Sequence, residues 1–188
     1  LLMSFIIGVF VSLAMALSER LRLAILPFAI FFQTVPIIAI APLLVIWIGF
    51  GSKTVIVSAM IVSIFPIIAN SIYGLTEIER DKEELFLLFG ASKLQRLFKL
   101  QVPSSIGQVL LGLRVAAGLA VIGAIVGEFI AGGGLGGVVD IARTQQRVDK
   151  VFAAILTSSM LGLVLVAIIS VFERLAKARF FNNRGRTS

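Results

Sequence analysis

Residues 83–103 read Glu83-Glu84-Leu85-Phe86-Leu87-Leu88-Phe89-Gly90-Ala91-Ser92-Lys93-Leu94-Gln95-Arg96-Leu97-Phe98-Lys99-Leu100-Gln101-Val102-Pro103, a charged amphipathic island in a chain that is otherwise almost wholly apolar. Acids at the start, with Leu85, Phe86, Leu88 and Phe89 on one side, suit a short helix through Phe89. Gly90 falls where such a helix ends in a left-handed residue, a conformation cheap only for glycine. Ser92 with Gln95 reads as a capping box that starts a second short helix. Leu94, Leu97 and Phe98 give that helix an apolar face, Lys93, Arg96 and Lys99 stay in water, and Pro103 stops it. The result is a helix–Gly–helix knuckle that stands outside a bilayer and exposes apolar side chains, the kind of surface that takes a partner. The alternative is an amphipathic pair lying on the inner leaflet; Glu83 and Glu84 beside the apolar face argue against it, because anionic lipid would repel them.

Working outward, the flanks are membrane-grade sequence. The chain is 59% hydrophobic and 14% charged over 188 residues, with a mean hydropathy of +1.07, far from an ordinary soluble domain and enough for one bundle. It has no cysteine and no histidine, which removes disulfides, thiolate nucleophiles and histidine metal sites. Five spans are expected, at about residues 1–17, 23–50, 54–75, 106–130 and 151–171, making a single all-α polytopic membrane domain. The knuckle occupies the cytoplasmic loop 76–105, and a basic cytoplasmic tail, disordered at its end, occupies 172–188. The chain opens on leucine without a charged signal start, and a further span upstream, six in all, is expected. Residues 18–22 read as a charged turn, 49–54 as a tight turn, and 132–150 as a glycine-rich and then mixed-charge loop. Pro27, Pro36 and Pro42 make the second span a kinked or broken helix.

Charge sets the orientation. With five spans, the 18–22 turn, the knuckle and the tail share one side. That side holds Arg20, Arg22, Arg80, Lys82, Lys93, Arg96, Lys99, Arg174, Lys177, Arg179, Arg184 and Arg186, against Lys53, Arg143, Arg147 and Lys150 opposite. This is a positive-inside bias, and it accounts for the net charge of +7 by topology and anionic lipid rather than by nucleic acid.

The knuckle resembles the "EAA" loop of bacterial ABC importer permeases, whose signature is Glu-Ala-Ala, three residues, Gly, nine residues, an aliphatic, any residue, Leu and Pro. Glu84, Gly90 and Leu100-Gln101-Val102-Pro103 keep every spacing, with Leu85 and Phe86 for the two alanines and Val102 for the leucine. Residues 36–51 with their Ala41-Pro42-Leu43-Leu44-Val45-Ile46-Trp47-Ile48-Gly49-Phe50-Gly51 core, then Phe65-Pro66, Gly74-Leu75, and Gly127-Glu128 ahead of a Gly-Leu-Gly segment, are similar to the nitrate/sulfonate/taurine-type branch. The resemblance covers nearly the whole chain. It implies a permease of a bacterial inner membrane, working by alternating access, with Glu83, Glu84, Leu85, Phe86, Gly90, Ala91, Leu94, Leu100 and Pro103 in the ATPase-coupling loop. It also implies two cytoplasmic ABC ATPase subunits that bind the ATP and Mg, a second permease copy, and an external solute-binding protein. The chain itself would hold no cofactor, no metal and no catalytic residue. Small organic anions such as sulfonates fit the branch, and vitamins or their precursors fit similar permeases.

Within the spans, Glu128 reads as the one acid and either serves the translocation pathway or reaches the outer interface. Gln33, mid-span, and Asn70 either line the pathway or bond a neighbouring helix. Arg114 is expected to snorkel to headgroups. Gly112, Ala116, Ala120, Gly123 and Gly127 form a small-residue packing stripe that faces either its own bundle or a second copy. Gly51-Ser52-Lys53-Thr54 lacks the glycine and strand that a P-loop needs, and the Gly132 to Gly137 run has no lysine, so both read as turns. The rival from another class is an ATPase-independent channel or scaffold; a membrane-embedded enzyme lacks an acid/base pair.

Overall fold

The computed structural model describes residues 1–181, nine α-helices and one π-helical segment with no strand among them. The helices are α1 (Leu2–Leu17), α2 (Glu19–Thr34), α3 (Ile37–Ile48), α4 (Ser52–Thr76), α5 (Arg80–Leu88), α6 (Lys93–Arg96), α7 (Val102–Ala131), α8 (Gly134–Thr144) and α9 (Val148–Phe181); the π-helical turn is Leu97–Gln101. The bundle is built on the antiparallel pair α4 and α7. An added Cβ on Gly112 would lie 2.9 Å from the Pro66 carbonyl oxygen, on Gly123 2.8 Å from Ala59 Cα, and on Gly127 2.9 Å from Val55 Cα. With Ala116 and Ala120, also buried, the small-residue stripe faces α4 of the same chain. In hydrocarbon no hydrophobic force pulls helices together, so this close approach supplies the dispersion contact that does.

Helix α1 packs parallel to α4 through small polar residues. Ser4 Oγ lies 2.8 Å from Ser63 Oγ, and Ser12 Oγ donates to Ile68 O at 3.3 Å. Met15, Ile68 and Ile72 form the apolar cluster beside these contacts, with Ile25 and Leu26 of α2 against it. A single residue, Ser18, separates α1 from α2 and caps α2 by accepting from the Leu21 amide. The charged 18–22 segment is therefore a cap and the first helical turn rather than a loop.

Spans resolve unevenly. Helix α4, the continuous run Lys93–Ala131 and α9 are each long and apolar enough to cross a bilayer, α2 and α3 together make a fourth, and α1 is a shorter apolar helix of 16 residues. Of the three prolines in 23–50, only Pro36 sits at the break, where α2 and α3 bend by 100°. Pro27 and Pro42 lie inside their helices.

Three segments differ from the expectation. Pro103 does not stop the knuckle's second helix. The π-helical turn just before it bonds the Val102 amide to Leu97 O, five residues back, and this reset register lets the chain run on through proline at the second position of α7. The 132–150 loop contains α8, whose Leu135, Val138, Val139 and Ala142 recur at helical spacing despite its glycines. The 172–188 tail begins as helix, because α9 continues to Phe181; the expected disorder at the end of the chain lies outside the described residues.

Helix polarity brings Ser18, the knuckle and the far end of α9 to one end of the bundle. The α3–α4 turn and α8 lie at the other, since α1 runs parallel to α4 while α7 and α9 each run antiparallel to the helix before them in the packing.

Candidate functional site: the knuckle and its helix

The knuckle is fixed by local rules. At the end of α5 the Gly90 amide donates to Leu87 O and the Ala91 amide to Phe86 O, the two bonds of a Schellman motif, with Gly90 at φ +67°. Two residues on, Ser92 and Gln95 close a reciprocal capping box, Gln95 N to Ser92 Oγ at 3.3 Å and Ser92 N to Gln95 Oε1 at 2.8 Å. Arg96 Nη1 then reaches back 3.0 Å to Glu83 Oε1 and clamps the two helices at a set angle. Arg96 is thus mostly covered, not in water as its place on the helix implied.

Which apolar residues face out is more selective than the sequence pattern. Leu88 and Phe89 are 84% and 82% exposed, and Leu85, Leu87, Leu94 and Phe98 are exposed as well. Leu97, expected on the same exposed face, is 1% exposed, and Leu100 is buried with it. These two anchor the knuckle to the bundle, and Pro103 lies in the helix that continues from them. Leu85, Phe86, Phe89, Ala91, Gln95 and Lys99 line a cleft of about 360 Å³, with Glu84 exposed beside it. The arrangement offers an apolar knob and an adjoining cleft on a short, clamped element, and it opens without interruption into the 39-residue helix Lys93–Ala131. A push on the knuckle therefore acts directly on the central helix pair.

The polar residues of the spans do different things. Gln33 is exposed next to the α2–α3 break and, with Thr34, Pro36, Ile61 and Leu119, lines a cavity of about 280 Å³. Asn70 donates to Pro66 O at 2.8 Å and packs its Cβ against Gly112, inside the α4–α7 contact. Glu128 Oε2 accepts from the Gly136 amide at 3.0 Å. It lies where the first turn of α8 leaves amides without intrahelical partners and the dipole is positive. Glycine is required there, because an added Cβ on Gly136 would sit 2.2 Å from Ile125 O. Glu128→Ala is expected to remove about 1 kcal/mol from this junction and speed exchange of the Gly136 amide about fivefold. Hydrogen exchange read by mass spectrometry checks this, and unchanged protection would remove the capping role.

Glu128 is not the one acid within an apolar helix. Glu173, in the part of α9 expected to be tail, is 4% exposed and carries an ion pair from its Oε2 to Arg114 Nη2. Arg114 is therefore bound to a helix rather than snorkelling. The signal was present in the sequence: an arginine well inside an apolar run calls for a carboxylate. The hydropathy edge near Phe172 hid it. Among the described residues no cluster of three or more metal-ligating side chains occurs.

Residues 4–178 match the family model described as "Binding-protein-dependent transport system inner membrane component". The chain is 39% identical over 176 residues to the formylaminopyrimidine transport permease protein ThiX of Halalkalibacterium halodurans, covering 93% of this chain and 70% of that protein. It is 33% identical over 144 residues to the riboflavin transport system permease protein RibX of Chloroflexus aurantiacus, covering 76% and 54%. It is 26% identical over 169 residues to the putative aliphatic sulfonates transport permease protein SsuC of Bacillus subtilis, covering 89% and 61%, in keeping with the nitrate/sulfonate branch. A helical membrane bundle whose match runs through nearly every helix leaves one assignment: the chain belongs to the binding-protein-dependent transport inner-membrane components and is a permease subunit of an ABC transport system.

Proposed function

We propose that the knuckle is the docking element for a separate ATP-hydrolysing subunit, that it faces the cytoplasm, and that the helix Lys93–Ala131 carries its motion into the bundle. The observation that carries this reading is the pair of nearly fully exposed side chains, Leu88 and Phe89, on an element held by a Schellman turn, a capping box and the Glu83–Arg96 bridge. So rigid a presentation of apolar surface to water fits a groove in a partner. The orientation draws support from Arg20, Arg22, Arg80, Lys82, Lys93, Arg96 and Lys99 gathering at the knuckle end. The other end carries four, Lys53, Arg143, Arg147 and Lys150.

The complete importer would hold two ATPase subunits, which bind ATP and Mg, a second permease copy, and an external solute-binding protein at the α3–α4 and α8 end. Alternating access moves a small water-soluble organic solute past Gln33 at the α2–α3 break, whereas Asn70 and Glu128 hold the frame. The relatives are named for a formylaminopyrimidine, riboflavin and sulfonates. That spread fits selection of the solute largely by the binding protein.

The test is retention of the cognate ATPase during detergent purification. Gly90→Pro forces φ negative where +67° is needed and deletes the amide that bonds Leu87 O. Glu84→Lys reverses an exposed charge beside the cleft. Both are expected to lose most of the ATPase that the unaltered permease retains. Retention by both variants would leave the knuckle as a membrane-surface element, and failure of the unaltered protein to retain any ATPase would favour an ATPase-independent channel or scaffold.

A further inference from the structure

We propose that Pro103 sets the direction in which the knuckle faces, by holding the turn before it in the π register; the inference rests on the docking role proposed above. The knuckle and the bundle are each stiff, and the joint between them is short. On one side, the Schellman turn, the capping box and the Glu83–Arg96 bridge make residues 83–96 one piece. On the other, Ser105 is buried, and an added Cβ on Gly74 would lie 2.7 Å from Gln108 Cβ and 3.0 Å from Ser105 Cβ, so α7 is seated on α4 from its first turn. Between the two pieces lies Leu97–Gln101. The knuckle's other connection, residues 77–79, is outside any helix and imposes no helical phase.

Within that joint two registers compete. As the chain stands, the Val102 amide donates to Leu97 O, so that Val102 stacks on Leu97, which is 1% exposed, while its neighbour Phe98 is 61% exposed. In an α-helix Val102 would bond Phe98 O instead, four residues back. The knuckle would then turn by about 100° around the axis of α7, the angle of one residue, and Phe98 would take the place of Leu97. Phe98 is apolar too, so burial of an apolar side chain does not by itself choose between the registers. Pro103 does. It has no amide hydrogen for the α-type bond to Lys99 O, and in an α-helix its ring would press on that carbonyl. Widening the turn by one residue takes the ring off the carbonyl. Leu88 and Phe89, carried on the stiff piece, therefore face where Pro103 directs them. Pro103 is a positioning residue that acts through the register of the turn.

The chain has no native cysteine, so single thiols report the register directly. In the purified permease, maleimide should label Phe98→Cys fast and Leu97→Cys slowly. Adding Pro103→Ala is expected to reverse that order, slowing the first and speeding the second, each about tenfold. Removing Gln101 as well puts Leu97 four residues before Val102, where an α-helix stacks it, and the original order should return. An order that Pro103→Ala leaves unchanged overturns the proposal. So does fast labelling at both positions, which is general loosening, and so does a reversal that removal of Gln101 fails to undo. ATPase retention, measured without the cysteines, separates the two levels. Pro103→Ala should weaken it about tenfold and removal of Gln101 should then recover it. If the order reverses while retention stays unchanged, Pro103 sets the register but the knuckle is not the docking element. If the order does not reverse and the unaltered chain retains the ATPase, the docking reading stands and the role of Pro103 falls.

Discussion

Gly123→Leu is expected to abolish recovery of folded, monodisperse protein, while Gly118→Leu, five residues away on the same helix, is expected to be tolerated. At Gly123 an added Cβ alone meets Ala59 Cα and Ser58 O at 2.8 Å, and these are backbone atoms that no rotamer change removes. Accommodating leucine there means parting α4 from α7 along the contact that also contains Gly112 and Gly127. Overpacking where side chains can shift costs about 1–3 kcal/mol, and an immovable backbone places this substitution at or above the top of that range. The loss of dispersion contact along both helices adds to it. At Gly118 the nearest atom, a Val166 methyl, is 3.9 Å away, and the side chain enters the apolar α7–α9 groove. Size-exclusion profiles of the detergent-solubilised variants after graded heating check the pair. Equal profiles for the two variants would mean that the stripe does not pack against α4.

The same stripe shows what was legible in the sequence and what was not. Its periodicity identified a close helix contact, because small residues at i, i+4, i+8 and i+11 do that for any pair of helices. The identity of the neighbouring helix is not local information, and only the structure assigns it to α4. The knuckle's caps were readable residue by residue for the opposite reason: Gly90, Ser92 and Gln95 act on backbone groups within five positions of themselves.

Where the reading went astray, a local rule met a longer-range one. Proline ends a helix that keeps one hydrogen-bond register, and the π-helical turn at Leu97–Gln101 changes the register before Pro103 arrives. Glycine disfavours helix on its own, and α8 forms because Gly136 can lie against the backbone of α7 while Glu128 caps the turn. Arg114 and Glu173 lie 59 positions apart in sequence, and no window that scores one sees the other.

Phe89→Asp and Leu97→Asp are expected to fail in opposite ways, although both place a carboxylate on the knuckle. Phe89 is 82% exposed, so aspartate there costs the isolated permease almost nothing and the thermal profile of the purified protein stays unchanged. In the assembled transporter the same position would lie at the centre of the docked surface. Loss of a large aromatic anchor together with burial of an unpaired charge is expected to weaken ATPase binding by about 3 kcal/mol, about a hundredfold in affinity. Leu97 is 1% exposed, and there aspartate would be buried without a partner in the joint between knuckle and bundle. It should lower the thermal midpoint sharply, and such ATPase binding as remains should track the fraction still folded. Titration of the purified permease with its ATPase, alongside a melting curve for each variant, separates the two effects. If Phe89→Asp binds as tightly as the unaltered protein, the partner does not dock on this face. If Leu97→Asp melts normally, the knuckle is not anchored through the π-helical turn and cannot transmit force along α7.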